Sequence, residues 1–114
     1  MDFNIIKAKI KEAGFETLRV DNDTHFEAVF VKKTIGRAVT ELEGFLGEAK
    51  NITADAVSIE ISRIVDACGG IMVGQTLYYA VQGKEVVVAM LWPWSDSLHV
   101  TLKLVKAVLK PAAA

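Results

Sequence analysis

Apolar positions recur with a helical period at the start of the chain. Over residues 3–13 they form one stripe of Phe3, Ile6, Ile10 and Ala13. Gly14 follows this stripe, and glycine commonly follows a helix because it enters the left-handed backbone region without strain. The first element is therefore predicted to be a helix that ends at Gly14.

Two apolar stretches, residues 15–20 and 25–32, are typical of strands. Residues 21–24 between them read Asp-Asn-Asp-Thr, and Asn and Asp favour turns because they bond their own backbone. A first hairpin is predicted, with its register left open.

Residues 34–50 and 54–68 are each predicted to be a helix with a strand as the alternative. In the first, apolar residues at helical spacing follow Thr34, although three glycines weaken a helix there. The strand alternative covers 38–45.

In the second segment, residues 54–68, Thr53 is a natural N-cap, and Ile52 and Val57 suit a hydrophobic staple. Its apolar stripe is Val57, Ile61, Ile64, Val65 and Cys68.

A second hairpin is predicted from residues 76–82 and 85–92, with Gly83-Lys84 as a type II′ turn. The expected pairs on one face are Val81–Val86, Tyr79–Val88 and Leu77–Met90. Those on the other face are Ala80–Val87, Tyr78–Ala89 and Thr76–Leu91. Because both faces are apolar, we expect helices to cover both, or a second subunit to cover one.

The last element, residues 96–110, is predicted to be a helix that begins at Ser95 or Asp96 and ends at Pro111. One narrow wedge carries the basic residues His99, Lys103, Lys106 and Lys110. The opposite face is unusually wide and apolar, with Leu98, Leu102, Leu104, Val105, Val108 and Leu109. The predicted fold is a single α+β domain over 1–114, with an antiparallel sheet of two hairpins packed with three to four helices. The predicted order is α-β-β-(α or β)-α-β-β-α.

Composition narrows the function classes. The chain has 114 residues, 52% of them hydrophobic, with one Cys and a formal net charge of -1. That size suits one core, and a single Cys forms no disulfide within the chain. A near-neutral charge makes nucleic acid an unexpected partner. Without a membrane-length apolar run or a signal peptide, the expected location is the cytoplasm, with no membrane partner.

The sequence contains only weak signals for catalytic groups. Residues 69–76 resemble a phosphate loop, but Gln75 stands where that motif needs Lys. Cys68 with His25 or His99 would make a thiol and a base, yet nothing in the sequence brings them together, so Cys68 is predicted to be a buried structural residue. Ser95, Asp96, Ser97 and His99 are crowded into one predicted helix start. No catalytic, cofactor or metal residue is predicted, and no cofactor is expected.

The Trp92-Pro93-Trp94 sequence has two interpretations. It is either a plug that seals the core or an aromatic recognition patch. Side-chain alternation puts Trp92 in the row of Val86, Val88 and Met90, so Trp94 should be the less buried of the two. The candidate partner-binding residues are Trp94, Trp92, Tyr78, Leu91, Leu104 and Val108.

The element order resembles the type III secretion chaperone-like fold, including YbjN-type bacterial domains. The resemblance is carried by Ile10–Val20, the 54–68 helix and Leu77–Leu109, while residues 34–50 depart from it because the family has a third strand there. It implies a non-enzymatic homodimer that holds an extended segment of a protein client.

A second resemblance, to the BolA family, touches Ile6-Lys7 and residues 25–31. That family's expected helical signature and the His of its last strand are missing here. The resemblance implies an alternative function, a BolA/KH-like domain that binds nucleic acid or a thiol-linked cofactor, and this would depend on His25 and Cys68.

Overall fold

The computed structural model describes residues 2–50, 56–69 and 75–109. Within these residues it contains three helices and a five-stranded sheet. The elements in chain order are α1 (Phe3–Glu12), β1 (Thr17–Asp21), β2 (His25–Val31), α2 (Ile35–Leu46), α3 (Ala56–Ala67), β3 (Thr76–Gln82), β4 (Glu85–Pro93) and β5 (His99–Val108). The predicted α+β class is confirmed.

The strands are ordered β1-β2-β5-β4-β3 and pair antiparallel throughout. Both predicted hairpins are present. The register of the β3–β4 hairpin is the predicted one, from Thr76 opposite Leu91 to Gln82 opposite Glu85. Gly83 has a φ of 63° at the first turn position, as a type II′ turn requires.

The helix predicted over 96–110 is wrong, because this segment forms strand β5 at the centre of the sheet. β5 pairs with β2 through seven partner pairs and with β4 through nine. Its residues alternate as strand residues do, and both faces of a central strand are buried, so the near-continuous apolar run was mistaken for a wide helix face. Asp96 does not begin a helix; its Oδ1 accepts hydrogen bonds from the backbone N–H groups of Leu98 and His99 in the β4–β5 turn.

The predicted basic wedge is dispersed by this change. His99 and Lys103 lie on one face of β5, and Lys106 lies on the other, because neighbouring strand positions point to opposite sides. Lys110 and Pro111 lie outside the described residues.

The two central helices are confirmed. α2 covers most of the ambiguous 34–50 region, although Thr34 at its N-cap makes no side-chain capping bond. α3 occupies the predicted 54–68 region. The capping Thr53 and the Ile52–Val57 staple lie outside what the structure describes, as does most of the glycine-rich 69–76 loop.

Two cores lie on opposite faces of the sheet. The first is formed by α1 and α2 against the sheet and includes Ile6, Ile10, Leu42, Phe26 and Leu104. The second is formed by α3 and consists of Ile61, Val65, Leu77, Val86, Val88, Met90 and Val105. The chain's own helices therefore cover both faces of the β3–β4 hairpin, which is one of the two arrangements that its apolar faces required.

Candidate functional site

α3 covers only part of its face of the sheet. Among the described residues, the strand members of the second core come from β3, β4 and β5, and none come from β1 or β2. We call the remaining part of this face, marked by Arg19, Val20, Glu27, Trp94 and Lys103, the open face. Val20 is 37% exposed and Trp94 is 38% exposed, so both are accessible on it.

A β-bulge in β1 supplies two of these residues. The register skips between Leu18, which pairs with Ala28, and Val20, which pairs with Glu27, so Arg19 is the extra residue. A bulge redirects side chains locally. Here Nη1 of Arg19 lies 3.4 Å from Oε2 of Glu27, and Val20 lines a pocket together with Glu27. Both bulge residues therefore serve the same face.

Lys103 is the most constrained side chain of the open face, with only 17% of its side chain exposed. Its Nζ donates to the carbonyl oxygen of Cys68 at 2.8 Å and lies 3.5 Å from Oε1 of Glu27. The same Nζ is 3.7 Å from the ring centroid of Trp92. A cation at the last carbonyls of a helix is favourable, so Lys103 fastens the C-terminal end of α3 to the sheet.

Trp92 seals the boundary between the second core and the open face. Its indole packs against the second core and is partly buried, and its Nε1 is buried with no hydrogen-bond acceptor in the described chain. Gly69 has a φ of 107°, and a Cβ at that position would overlap the Trp92 ring. Glycine is therefore required here both for its backbone conformation and for the close approach of the indole.

Trp94 lies across the other end of the open face. Its Nε1 donates to Oγ1 of Thr101 at 2.8 Å, and its ring centroid is 4.9 Å from that of His99. The guanidinium carbon of Arg19 is 5.6 Å from the Trp94 ring centroid, within cation–π range. The prediction that Trp94 is more exposed than Trp92 is confirmed.

His99 connects the β4–β5 turn to the segment before β1. Its Nδ1 lies 2.6 Å from Oδ2 of Asp96, and its Nε2 lies 3.1 Å from Oε1 of Glu16. The hydrogen bond with Asp96 is the main cause that raises the pKa of His99. The pKa of Asp96 is lowered, first by the backbone N–H of Leu98 and then by His99. These groups hold the turn that carries Trp94.

A pocket of about 270 Å³ opens between the end of α3 and strands β1, β2 and β5. Its lining includes Val20, Asn22, His25, Glu27, Cys68 and Lys103. It brings Cys68 and His25 to one cavity, which no sequence pattern indicated. Burial raises the pKa of the Cys68 thiol, which disfavours the nucleophilic thiolate form. Within the described residues, no three His, Cys, Asp or Glu groups are arranged to hold a metal ion.

Three of the six predicted partner-binding residues are not on the surface. Tyr78, Leu91 and Leu104 are buried in the first core, because α1 and α2 cover that face of the sheet. Val108 is 64% exposed, but it lies at the far end of β5. Trp92 and Trp94 border the open face. Sequence reasoning missed Arg19, Val20 and Glu27, because a bulge leaves no signature in a single sequence.

No protein-family model matches this chain, and no curated protein or solved structure is significantly similar to it. In the part of the chain that the structure describes, no helix is long and apolar enough to cross a membrane.

Proposed function

We propose that the chain is a non-catalytic cytoplasmic module that holds a segment of another polypeptide on the open face. The observation that carries this proposal is the exposed Arg19–Trp94 pair beside an open pocket. Trp and Arg contribute most to the affinity of protein interfaces. Because Trp94 is already held by Thr101 and His99, little side-chain freedom remains to be lost when a partner binds.

One observation favours the alternative, a domain that binds a thiol-linked cofactor or nucleic acid. His25 and Cys68, on which that alternative depends, line the same pocket. The carboxylate of Glu27 lies between the two cations of the open face and would repel a phosphate backbone. Retention on immobilised RNA or DNA that weakens with salt would support the alternative.

Homodimerisation stays a prediction. Two features of the sequence suggested a dimer: a hairpin with two apolar faces and a wide apolar face on a terminal helix. The hairpin is covered by the chain's own helices, and the terminal helix is a strand. Light scattering after gel filtration should show twice the chain mass if the protein is a dimer and 12.4 kDa if it is a monomer.

The resemblance to type III secretion chaperones also stays a prediction. The stretch that carried it best was expected to end in a helix and ends in β5. The proposed client binding therefore depends on the open face and not on that resemblance.

Affinity capture with matched variants tests the proposal. Immobilised wild type, Trp94→Ala and Ile59→Ala would be exposed to a lysate of cells that express the protein, and bound polypeptides compared by mass spectrometry. Ile59 is a suitable control because it is 49% exposed on α3. We expect a polypeptide that wild type and Ile59→Ala retain and Trp94→Ala loses. Equal retention by all three, or none by any, would contradict the proposal.

A further inference from the structure

We propose that strand β3 pairs edge to edge with the β3 strand of a second copy of this chain, which joins the two sheets into one continuous sheet. The two strands run antiparallel, and the two-fold axis that relates them passes beside Ala80. This inference goes beyond the proposed function, because β3 forms the opposite edge of the sheet from β1 and the open face.

The two edge strands of the sheet differ in how well they suit pairing. β1 carries a bulge at Arg19 and the charged residue Asp21, and both features discourage the addition of another strand. β3 reads Thr-Leu-Tyr-Tyr-Ala-Val-Gln, without a charged residue or a proline. Its register with β4 continues without a shift along the whole strand. Of the two edges, β3 is therefore the one suited to pairing.

One hydrogen bond shows which residues of β3 direct their backbone groups outward. The carbonyl oxygen of Leu77 accepts a bond of 2.8 Å from the backbone N–H of Lys50, which lies outside the sheet. Every second residue of an antiparallel strand directs its backbone groups to the same side. Tyr79 and Val81 therefore also direct theirs away from β4. Within residues 2–50, 56–69 and 75–109, no backbone group bonds to either of them at this edge.

Lys50 also determines the register of the proposed pairing. Because it occupies the carbonyl of Leu77, a second copy can bond to Tyr79 and Val81 only. The register that uses both residues places each Tyr79 opposite Val81 of the other copy, and each such pair exchanges two N–H···O bonds. The strand of the second copy ends one residue after Val81, so its chain turns away from the edge at the level of Lys50.

The side chains match in this register. Val81 is 40% exposed and lies on the same face of the sheet as the partly buried Tyr79, so pairing would cover Val81 with an aromatic ring at two places. Pairs of aromatic and β-branched residues opposite each other stabilise a sheet. Ala80 would face Ala80 of the other copy in a non-hydrogen-bonded pair, where strands approach most closely and a methyl group fits.

The charges at this edge also permit a second copy. The ammonium of Lys50 donates to the carbonyl oxygen of Leu46 at 3.1 Å and lies 5.3 Å from the Tyr79 ring. Lys84 and Glu85, at the turn, carry opposite charges. Because β3 itself is uncharged, pairing opposes no like charges within the ladder. The edge thus complements itself, as an interface between identical subunits requires, and we expect a second copy to occupy it.

Two substitutions at Val81 test the inference. Val81→Pro removes an N–H that points away from β4, so it deletes a bond of the proposed dimer and leaves the β3–β4 ladder intact. Val81→Lys places a charge in the pairing. Leu18→Lys is the matched control, because Leu18 is 44% exposed on the other edge strand, β1. Circular dichroism and urea unfolding identify the variants that are folded.

Sedimentation equilibrium of the full chain measures the dimer, at concentrations from about 10 µM to about 1 mM because so short a ladder gives a weak interface. We expect wild type and Leu18→Lys to reach twice the chain mass with the same Kd. Each folded Val81 variant should raise that Kd at least about tenfold. In wild type, hydrogen exchange at the amides of Tyr79 and Val81 should slow as the concentration rises.

Four results would overturn the inference. They are a wild type that stays monomeric, an unchanged Kd in a folded Val81 variant, an equal rise in Kd for Leu18→Lys, and exchange at Tyr79 and Val81 that is independent of concentration. None of them bears on the open face, which Trp94→Ala tests separately.

Discussion

Lys103→Ala should destabilise the fold far more than a surface lysine substitution would. The variant removes the bond from Nζ to the Cys68 carbonyl at 2.8 Å and the contact with the Trp92 ring at 3.7 Å. It also leaves Glu27 with Arg19 as its remaining cation in the described structure. The end of α3 would lose its attachment to β5.

The magnitude follows from these contacts. A hydrogen bond from a charged donor to a carbonyl contributes about 1.5–3 kcal/mol. A largely desolvated cation–π contact contributes about 1–2 kcal/mol. Because the two share one ammonium group, we expect their joint loss to lower the free energy of unfolding by about 2–4 kcal/mol. For a domain of this size, that lowers the Tm by roughly 10–20 °C.

Lys106→Ala is the matched control on the same strand. Its ammonium is 3.9 Å from Glu85 and its side chain is 39% exposed, so its loss should cost less than about 0.5 kcal/mol. Lys103→Met, which keeps an apolar stem, should fall between the two. Urea unfolding of all three variants measures the difference. Equal stability of Lys103→Ala and Lys106→Ala would refute the role of Lys103 as the fastener of α3.

Three further predictions concern the surroundings of the open face. Gly69→Ala should lower the free energy of unfolding by about 2–4 kcal/mol, because a Cβ would overlap Trp92 at a positive φ; unchanged urea unfolding would contradict this. Cys68 should react slowly with a thiol reagent in the native state and fast in urea, since burial raises its pKa; fast native labelling would contradict burial. Because the pKa of His99 is raised in the folded state, protonated His99 stabilises the fold fully below about pH 6.5, and this stabilisation is lost as the pH rises through the folded-state pKa. His99→Gln should therefore flatten the fall in Tm that wild type shows over this pH range. Parallel Tm curves for the two proteins would contradict this.

Most elements of the fold could be predicted from the sequence. Local signals were sufficient for the β3–β4 hairpin, because a Gly-Lys turn fixes the register of the strands beside it. They were also sufficient for α1, where an apolar stripe ends at a glycine with a φ of 85°. In both cases the residues that determine the structure are close together in the sequence.

β5 is an element whose structure could not be predicted from local sequence signals. A central strand with two apolar faces and a buried helix have similar apolar content, and only the pairing partners decide between them. β2 is distant in the sequence, whereas β4 directly precedes β5 and is joined to it by residues 94–98, a turn whose Ser and Asp residues were interpreted as a helix start. The wrong helix also displaced the candidate site, since it placed Leu104 on a surface that α1 and α2 in fact cover.

The open face is formed by contacts between residues that are far apart in the sequence. Trp94 was identified from its aromatic type and its parity with Trp92. Arg19 and Glu27 meet because of a bulge, and Lys103 meets Cys68 across 35 residues of sequence. A single sequence does not reveal such tertiary pairings, so only the aromatic half of the site was predictable.

In-cell photo-crosslinking tests the central claim, that the open face holds a polypeptide, most directly. A photo-reactive residue would replace Val20 on the open face in one variant and Ile59 on α3 in another; both positions are exposed, at 37% and 49%. We expect illumination to join one discrete polypeptide to the Val20 position and none to the Ile59 position. The same adducts from both positions, or none from Val20, would contradict the assignment of the open face as the binding surface.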